Sequence, residues 1–143
     1  MPYTKEQMTI YMRKWREDHR EQFNATARKS RLKNRDVRNA RLRVYNRNLR
    51  HQVLYNYSFG SMQCYCCGND YEPFLTIDHI NGGGRKHMAD TKVGMGSSFY
   101  AWLKRNNFPV GFRVLCSNCN GRAGDLPGNE CDCPQGKARR EAM

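Results

Sequence analysis

Between Tyr3 and Phe59 the 143-residue chain contains neither glycine nor proline, and no cysteine occurs before Cys64. The N-terminal stretch therefore lacks the residues that end helices or make tight turns. It also has no thiol with which to form a disulfide or bind a metal. Acidic residues are few, 13 Asp and Glu against 25 Lys and Arg, which leaves a formal net charge of +12. A balance this positive attracts polyanions. No apolar run approaches the ~18 residues of a membrane-spanning helix. The opening, MPYTKEQM, has no apolar core of the secretory kind. No membrane partner is expected, and the expected location is intracellular, in cytoplasm, nucleoid or nucleus. Seven cysteines, an odd number, then fit reduced or metal-bound thiols better than a disulfide framework.

What is present is sharply divided. All twelve glycines fall at or after Gly60 and all seven cysteines at or after Cys64. Residues 1–60 hold 15 Lys and Arg against 5 Asp and Glu, whereas residues 61–143 hold 10 against 8. The sequence reads as a basic arm, 1–60, and a Cys/Gly-rich domain, 61–143, joined near Tyr57–Met62. The arm is rich in Arg, Lys, Gln and Glu, all fair helix formers. Its apolar residues form two short stripes, Met8/Tyr11/Met12/Trp15 and Leu42/Tyr45/Leu49/Val53, while Ala25 to Asp36 has almost no apolar face. A single helix over 8–53 would span roughly 70 Å at ~1.5 Å per residue.

A degenerate echo recurs fifteen residues on. His19-Arg20-Glu21 with Asn24-Ala25 returns as Asn34-Arg35-Asp36 with Asn39-Ala40, which suggests a repeated basic helical unit. Such an arm suits phosphate tracking, in which each neutralised phosphate releases counterion and little sequence is read. The candidate contacts are Arg28, Arg31, Lys33, Arg35, Arg38, Arg41 and Arg43, with Arg113 from the C-terminal half. The bland alternative is a solvated charged arm. A coiled-coil role is disfavoured because the apolar seam lapses between Ala25 and Asp36.

Cys64-Tyr65-Cys66-Cys67-Gly68 and Cys116-Ser117-Asn118-Cys119 are two C-x-x-C knuckles. Four thiolates so spaced suit a tetrahedral structural zinc. Cys64, Cys67, Cys116 and Cys119 are the expected ligands, with Cys64–Cys66 as the other pairing of the first knuckle. Zinc would also staple a domain whose apolar core must be small. Cys131 and Cys133 near the tail could join Cys66 in a second metal site or remain reduced thiols.

Between the knuckles, 74–80 reads as a strand, 81–84 as a loop, 98–104 as a short helix and 112–115 as a second strand. Asp78, His79 and Asn120 form a plausible set for phosphodiester hydrolysis. A neutral imidazole can take a proton from water near pH 7. Asp and Asn oxygens suit a hard divalent ion such as Mg²⁺. One geometric objection stands: neighbours on a regular strand point to opposite faces, so Asp78 and His79 share a site only if the strand ends or bulges there.

The run C-x-x-C-G, then I-D-H-I-N-G-G-G-x-x-H, then F-R-V-L-C-S-N-C-N resembles the HNH or His-Me finger endonucleases, in particular the zinc-stapled subgroup that includes phage recombination endonuclease VII. The resemblance covers about Cys64 to Asn120. It implies an α+β fold, a small zinc-stapled ββα-metal domain behind the mostly helical arm, and an origin in a phage or virus. It implies a DNA endonuclease with His79 as general base, Asp78 and Asn120 on catalytic Mg²⁺ or Mn²⁺, and the four cysteines on structural zinc. Duplex, nicked or branched DNA would be the substrate, nicked by a monomer and cut through both strands by a homodimer or by two events. A non-catalytic zinc module that binds DNA or RNA is the competing class.

Two features depart from the family pattern, and His87 has a further reading. Gly111 stands where a middle Asn is usual, with Asn106 or Asn107 as substitutes. Gly121 to Gly128 should cut the finger helix short, with Ser117 as its N-cap. His87, after the Gly run, would touch the scissile phosphate or metal, or else be a surface residue near the site.

Overall fold

The protein is described here by a computed structural model covering residues 3–142. Two compact units are present, one ending at Val44 and one beginning at Tyr45. The division falls inside a helix rather than near Tyr57–Met62. The first unit contains helices only. α1 (Lys5–Asp18) and α2 (Arg20–Lys33) have 14 residues each, and α3 (Arg35–Tyr57) follows directly. A capping box opens α1. The Gln7 N–H donates to Thr4 Oγ1 at 3.3 Å and the Thr4 N–H to Gln7 Oε1 at 2.9 Å.

The arm is helical, as the absence of breakers dictates, and it is divided into three helices rather than running as one over 8–53. Regular helix lapses at His19 (φ −110°, ψ 25°) and at Asn34 (φ −99°, ψ 3°). Both residues sit in the sparsely allowed bridge region. The His19 ring contributes to the first lapse, since its Nδ1 is bonded to the Trp15 carbonyl at 2.9 Å. The two lapses are fifteen residues apart, and Thr4 precedes His19 by the same interval. Each position opens a polar–basic–acidic triplet: Thr4-Lys5-Glu6, His19-Arg20-Glu21, Asn34-Arg35-Asp36. The echo in the sequence thus coincides with the starts of the three helices, although Thr4 makes a side-chain cap bond and His19 does not. No residue of α1 or α2 is buried. The stripe at Met8, Tyr11 and Trp15 is exposed, and Met12 is only partly covered.

α3 enters the core of the second unit through Leu49, Val53 and Leu54, whereas Leu42 and Tyr45 of the same expected stripe are exposed. The core centres on an antiparallel pair, β1 (Leu75–His79) and β2 (Phe112–Cys116). Leu75 faces Cys116, Ile77 faces Val114, Asp78 faces Arg113 and His79 faces Phe112. Two helices lie between the strands in sequence, α4 (Gly84–Thr91) and α5 (Ser97–Arg105). Two more follow β2, α6 (Ser117–Gly124) and α7 (Pro134–Glu141). This is a mostly helical α/β arrangement with one two-stranded sheet. Among the described residues no helix is long and apolar enough to cross a membrane.

The core is small. Its largest fully buried side chains are Leu54, Leu75, Leu103, Leu115, Val53, Val114 and Cys64. One polar tie joins α3 to the start of β1: the Arg50 guanidinium donates to the carbonyls of Glu72 (2.7 Å) and Leu75 (2.6 Å) and to Glu72 Oε1 (3.3 Å). Only a planar fork reaches several acceptors at once. Arg50→Ala should therefore destabilise the second unit by about 1.5–3 kcal/mol, and Arg50→Lys should recover little of it. Urea unfolding followed by Trp102 fluorescence would measure both. A loss below ~0.5 kcal/mol would show that the fork only decorates the surface.

Candidate metal centre and imidazole site

The turns flanking β1 and β2 collect the thiols. The first knuckle is closed by Cys64 N–H to the Asn69 carbonyl (2.8 Å) and Gly68 N–H to the Cys64 carbonyl (2.9 Å). Gly68 has φ +77°, a left-handed conformation that suits glycine. The Tyr65 N–H donates to the Val114 carbonyl at 2.8 Å and so fastens the knuckle to β2. Cys116 ends β2, and Cys119 lies in the first turn of α6. The sulfurs of Cys64, Cys67, Cys116 and Cys119 all lie within 4.8 Å of one another. Those of Cys67 and Cys116 are 3.8 Å apart. Zn–S bonds of about 2.3 Å in a tetrahedron place sulfurs about 3.8 Å apart, so the donors fit zinc. Cys66 is not in this set. It belongs to a second group with Cys119, Cys131 and Cys133, also within 4.8 Å of one another. Either four-cysteine group could hold a metal ion such as zinc.

α6 is short, as its glycines require, but Cys116 rather than Ser117 is the N-cap. Its sulfur accepts from the Cys119 N–H at 3.5 Å, while the Ser117 hydroxyl donates to the Phe74 carbonyl at 3.0 Å. Burial pushes the Cys66 thiol up to about 12 and the Cys67 thiol up to about 11. At Cys64 and Cys133 burial is outweighed by hydrogen bonds that favour the thiolate, and both are lowered.

His79 closes β1. The loop after it turns through Gly82 (φ +69°) and Gly83 (φ +82°) into α4, which carries His87 back to the strand. His79 Nε2 and His87 Nδ1 are 2.8 Å apart, one donating and the other accepting. Gly84 starts α4 so close to the ring that a Cβ there would stand 3.2 Å from His79 Nδ1. Aromatic rings wall the pair. Phe99 stacks on His79 at 5.7 Å, Phe112 meets it edge-on at 4.7 Å, and Trp102 meets His87 edge-on at 4.5 Å. Burial among these rings, and then the neighbouring His87, lower the His79 pKa, against a smaller opposing pull from Asp78. Asn120 and His79 line one cavity of about 280 Å³, together with Gly84, Met88, Phe99 and Tyr100. A neutral imidazole beside a cavity with an amide on its wall can accept a proton from a bound water.

Asp78 does not join them. The strand is regular, so Asp78 points to the face away from His79. It is 8 % exposed, and its carboxylate accepts from Arg113 Nε at 2.9 Å and from Asn129 Nδ2 at 3.2 Å. Arg113 is turned inward on this pair and on the Asn129 carbonyl, so its guanidinium is engaged within the fold rather than offered to phosphate. Asp78 is thus committed to Arg113 and Asn129, whereas Asn120 lines the His79 cavity. Asn129 was without any sequence signal; it sits in a Gly/Pro-rich turn with φ +54° and also donates to the His79 carbonyl at 2.6 Å. Asn106 and Asn107 do not replace the missing middle Asn. They terminate α5, Asn106 Nδ2 donating to the Trp102 carbonyl at 2.8 Å and Asn107 at φ +55°. Gly111 serves the loop through its backbone: at φ +100° its carbonyl accepts from the Ile80 N–H at 3.0 Å.

In the first unit, Arg28, Arg31 and Lys33 on α2 and Arg35, Arg38, Arg41 and Arg43 on α3 are all exposed. Among these seven, Arg35 makes an ion pair, with Asp36 at 3.2 Å. The row is open to an anionic partner. No family model matches the sequence, and neither a curated protein nor a solved structure matches it.

Proposed function

We propose that the chain is a zinc-stapled DNA endonuclease of the HNH type, hydrolysing phosphodiester bonds with His79 as general base while the arm tracks phosphates. The observation that carries this is the His79 environment. Its imidazole is held neutral by burial, is hydrogen-bonded to His87 and shares a cavity with Asn120. Those traits are what a base near neutral pH requires. The cysteine groups would fix the first knuckle and the end of β2 to α6, and β1 is paired with β2, so His79 would be held relative to Asn120. A hard divalent ion, Mg²⁺ or Mn²⁺, would neutralise developing charge on the phosphate. Asp78 is bonded to Arg113 and Asn129, so the weight of the proposal falls on His79.

A second reading is a non-catalytic zinc module that binds DNA or RNA. The Asp78–Arg113–Asn129 lock favours it, because the carboxylate that a nuclease would offer to a metal is bonded elsewhere. Supercoiled plasmid, incubated with the zinc-loaded protein and Mg²⁺ or Mn²⁺, separates the two. Conversion to nicked or linear DNA that stops on adding EDTA supports the nuclease. Salt-sensitive retention of the plasmid without cleavage, on branched DNA as well, would replace it with the binding module.

A further inference from the structure

We propose that the seven cysteines form one dinuclear zinc–thiolate centre in which Cys119 bridges two ions. The two four-cysteine groups are not alternatives. They share one residue, Cys119, and together use every cysteine of the chain once besides. Two four-coordinate ions with one bridging thiolate need seven sulfurs, which is the number present. The odd count thus has a stoichiometric reason.

The geometry of the second group is as specific as that of the first. Cys66 Sγ is 3.5 Å from Cys133 Sγ, and Cys119 Sγ is 3.8 Å from Cys133 Sγ. These are the sulfur–sulfur edges of a tetrahedron with metal–sulfur bonds of about 2.3 Å and are far too long for disulfides. All seven cysteines are unpaired. Cys133 is the N-cap of α7, as Cys116 is of α6. Its sulfur accepts from the Gly136 N–H at 3.3 Å, as that of Cys116 accepts from the Cys119 N–H at 3.5 Å. Two sulfur-capped helix starts therefore face one cluster. Gly136 has no room for a side chain, because a Cβ there would overlap Cys66 Sγ.

Charge points the same way. Seven thiolates and two dications leave a surplus of negative charge. α7 brings two guanidinium groups to it: Arg140 Nη1 lies 3.7 Å from Cys66 Sγ while its Nη2 donates to the Cys131 carbonyl at 3.0 Å, and Arg139 Nη1 donates to the Cys64 carbonyl at 3.5 Å. Without the second ion, α7 has little to hold it, since Gly136 is its single buried residue. The centre is independent of whether the protein cleaves DNA.

The test uses the full-length protein. Elemental analysis of protein refolded with zinc should give two zinc ions per chain, falling to one in Cys131→Ser/Cys133→Ser. One zinc in the wild type, an unchanged two in the double variant, or iron with acid-labile sulfide would overturn the proposal. Should the double variant fail to fold, ¹¹³Cd-substituted wild type decides alone. Two all-sulfur resonances split by Cd–Cd coupling through the bridging thiolate are expected. Two uncoupled resonances, or a single one, would sink the bridge.

Discussion

Removing metal from the cysteine cluster is expected to unfold the second unit while leaving the helical signal of residues before Tyr45 largely unchanged. Among the described residues, the largest fully buried aliphatic side chains in the core behind the cluster are Leu54, Leu75, Leu103, Leu115, Val53 and Val114, a small set. Whole domains are stable by only about 5–15 kcal/mol, whereas structural zinc in finger peptides contributes about 10–16 kcal/mol of apparent binding energy at pH 7. The metal term is as large as the whole margin. Chelated protein should lose near-UV dichroism and the fluorescence signature of Trp102, which lies against His87 and Phe99, and recover both when zinc is restored. A chelated protein that kept both signals would show that the thiols are an ordinary buried cluster.

His79→Ala should lower plasmid cleavage by about 10²–10⁴-fold, the usual contribution of a positioned general base. Its zinc content and near-UV spectrum should stay at wild-type values, because the residue is not in either cysteine group. The pH profile gives an independent check. A base works only when neutral, so cleavage should fall with pH through the His79 pKa. Burial and His87 hold that pKa below the ordinary 6.5, so the half-maximum should lie on the acid side of 6.5. The linked stability term has the same direction. The fold favours the neutral ring, so this contribution is complete above the unfolded-state pKa and fades as pH drops toward the folded value. Wild-type cleavage rates in His79→Ala, or an acid limb well above 6.5, would remove His79 from its assigned role.

The strands and the cysteine knuckles were legible because their signals are local and redundant. Short segments with apolar residues at Leu75 and Ile77 and at Phe112, Val114 and Leu115, bounded by turns, give β1 and β2, and the C-x-x-C spacing brings two sulfurs to one point. The pairing of Cys64 with Cys67 followed from the same spacing. Asp78 was harder. Its position beside His79 in sequence suggested a shared site, but strand alternation sends it to the opposite face, where Arg113 sits directly across the ladder. α4 was hidden by Gly82-Gly83-Gly84, in which two glycines make the loop and the third begins a helix. α7 was hidden by its charge and by its place near the tail, although Pro134 just after Cys133 is a recognised helix-start signal. The role of Cys131 and Cys133 depends on contacts with Cys66 and Cys119 far away in sequence, which no local pattern encodes.

The fifteen-residue repeat bears on how the arm can change over generations. A unit with a helix of about 21 Å at 1.5 Å per residue and no buried side chain, as in α1 and α2, can be duplicated or lost without opening a cavity elsewhere. An in-frame duplication would return each arginine to the equivalent helical position, as Arg13, Arg28 and Arg43 already do. Reach is thereby released from the constraints that packing places on the cysteine-bearing half. The number of exposed basic side chains could then change by whole units, while the cavity at His79 stays as it is.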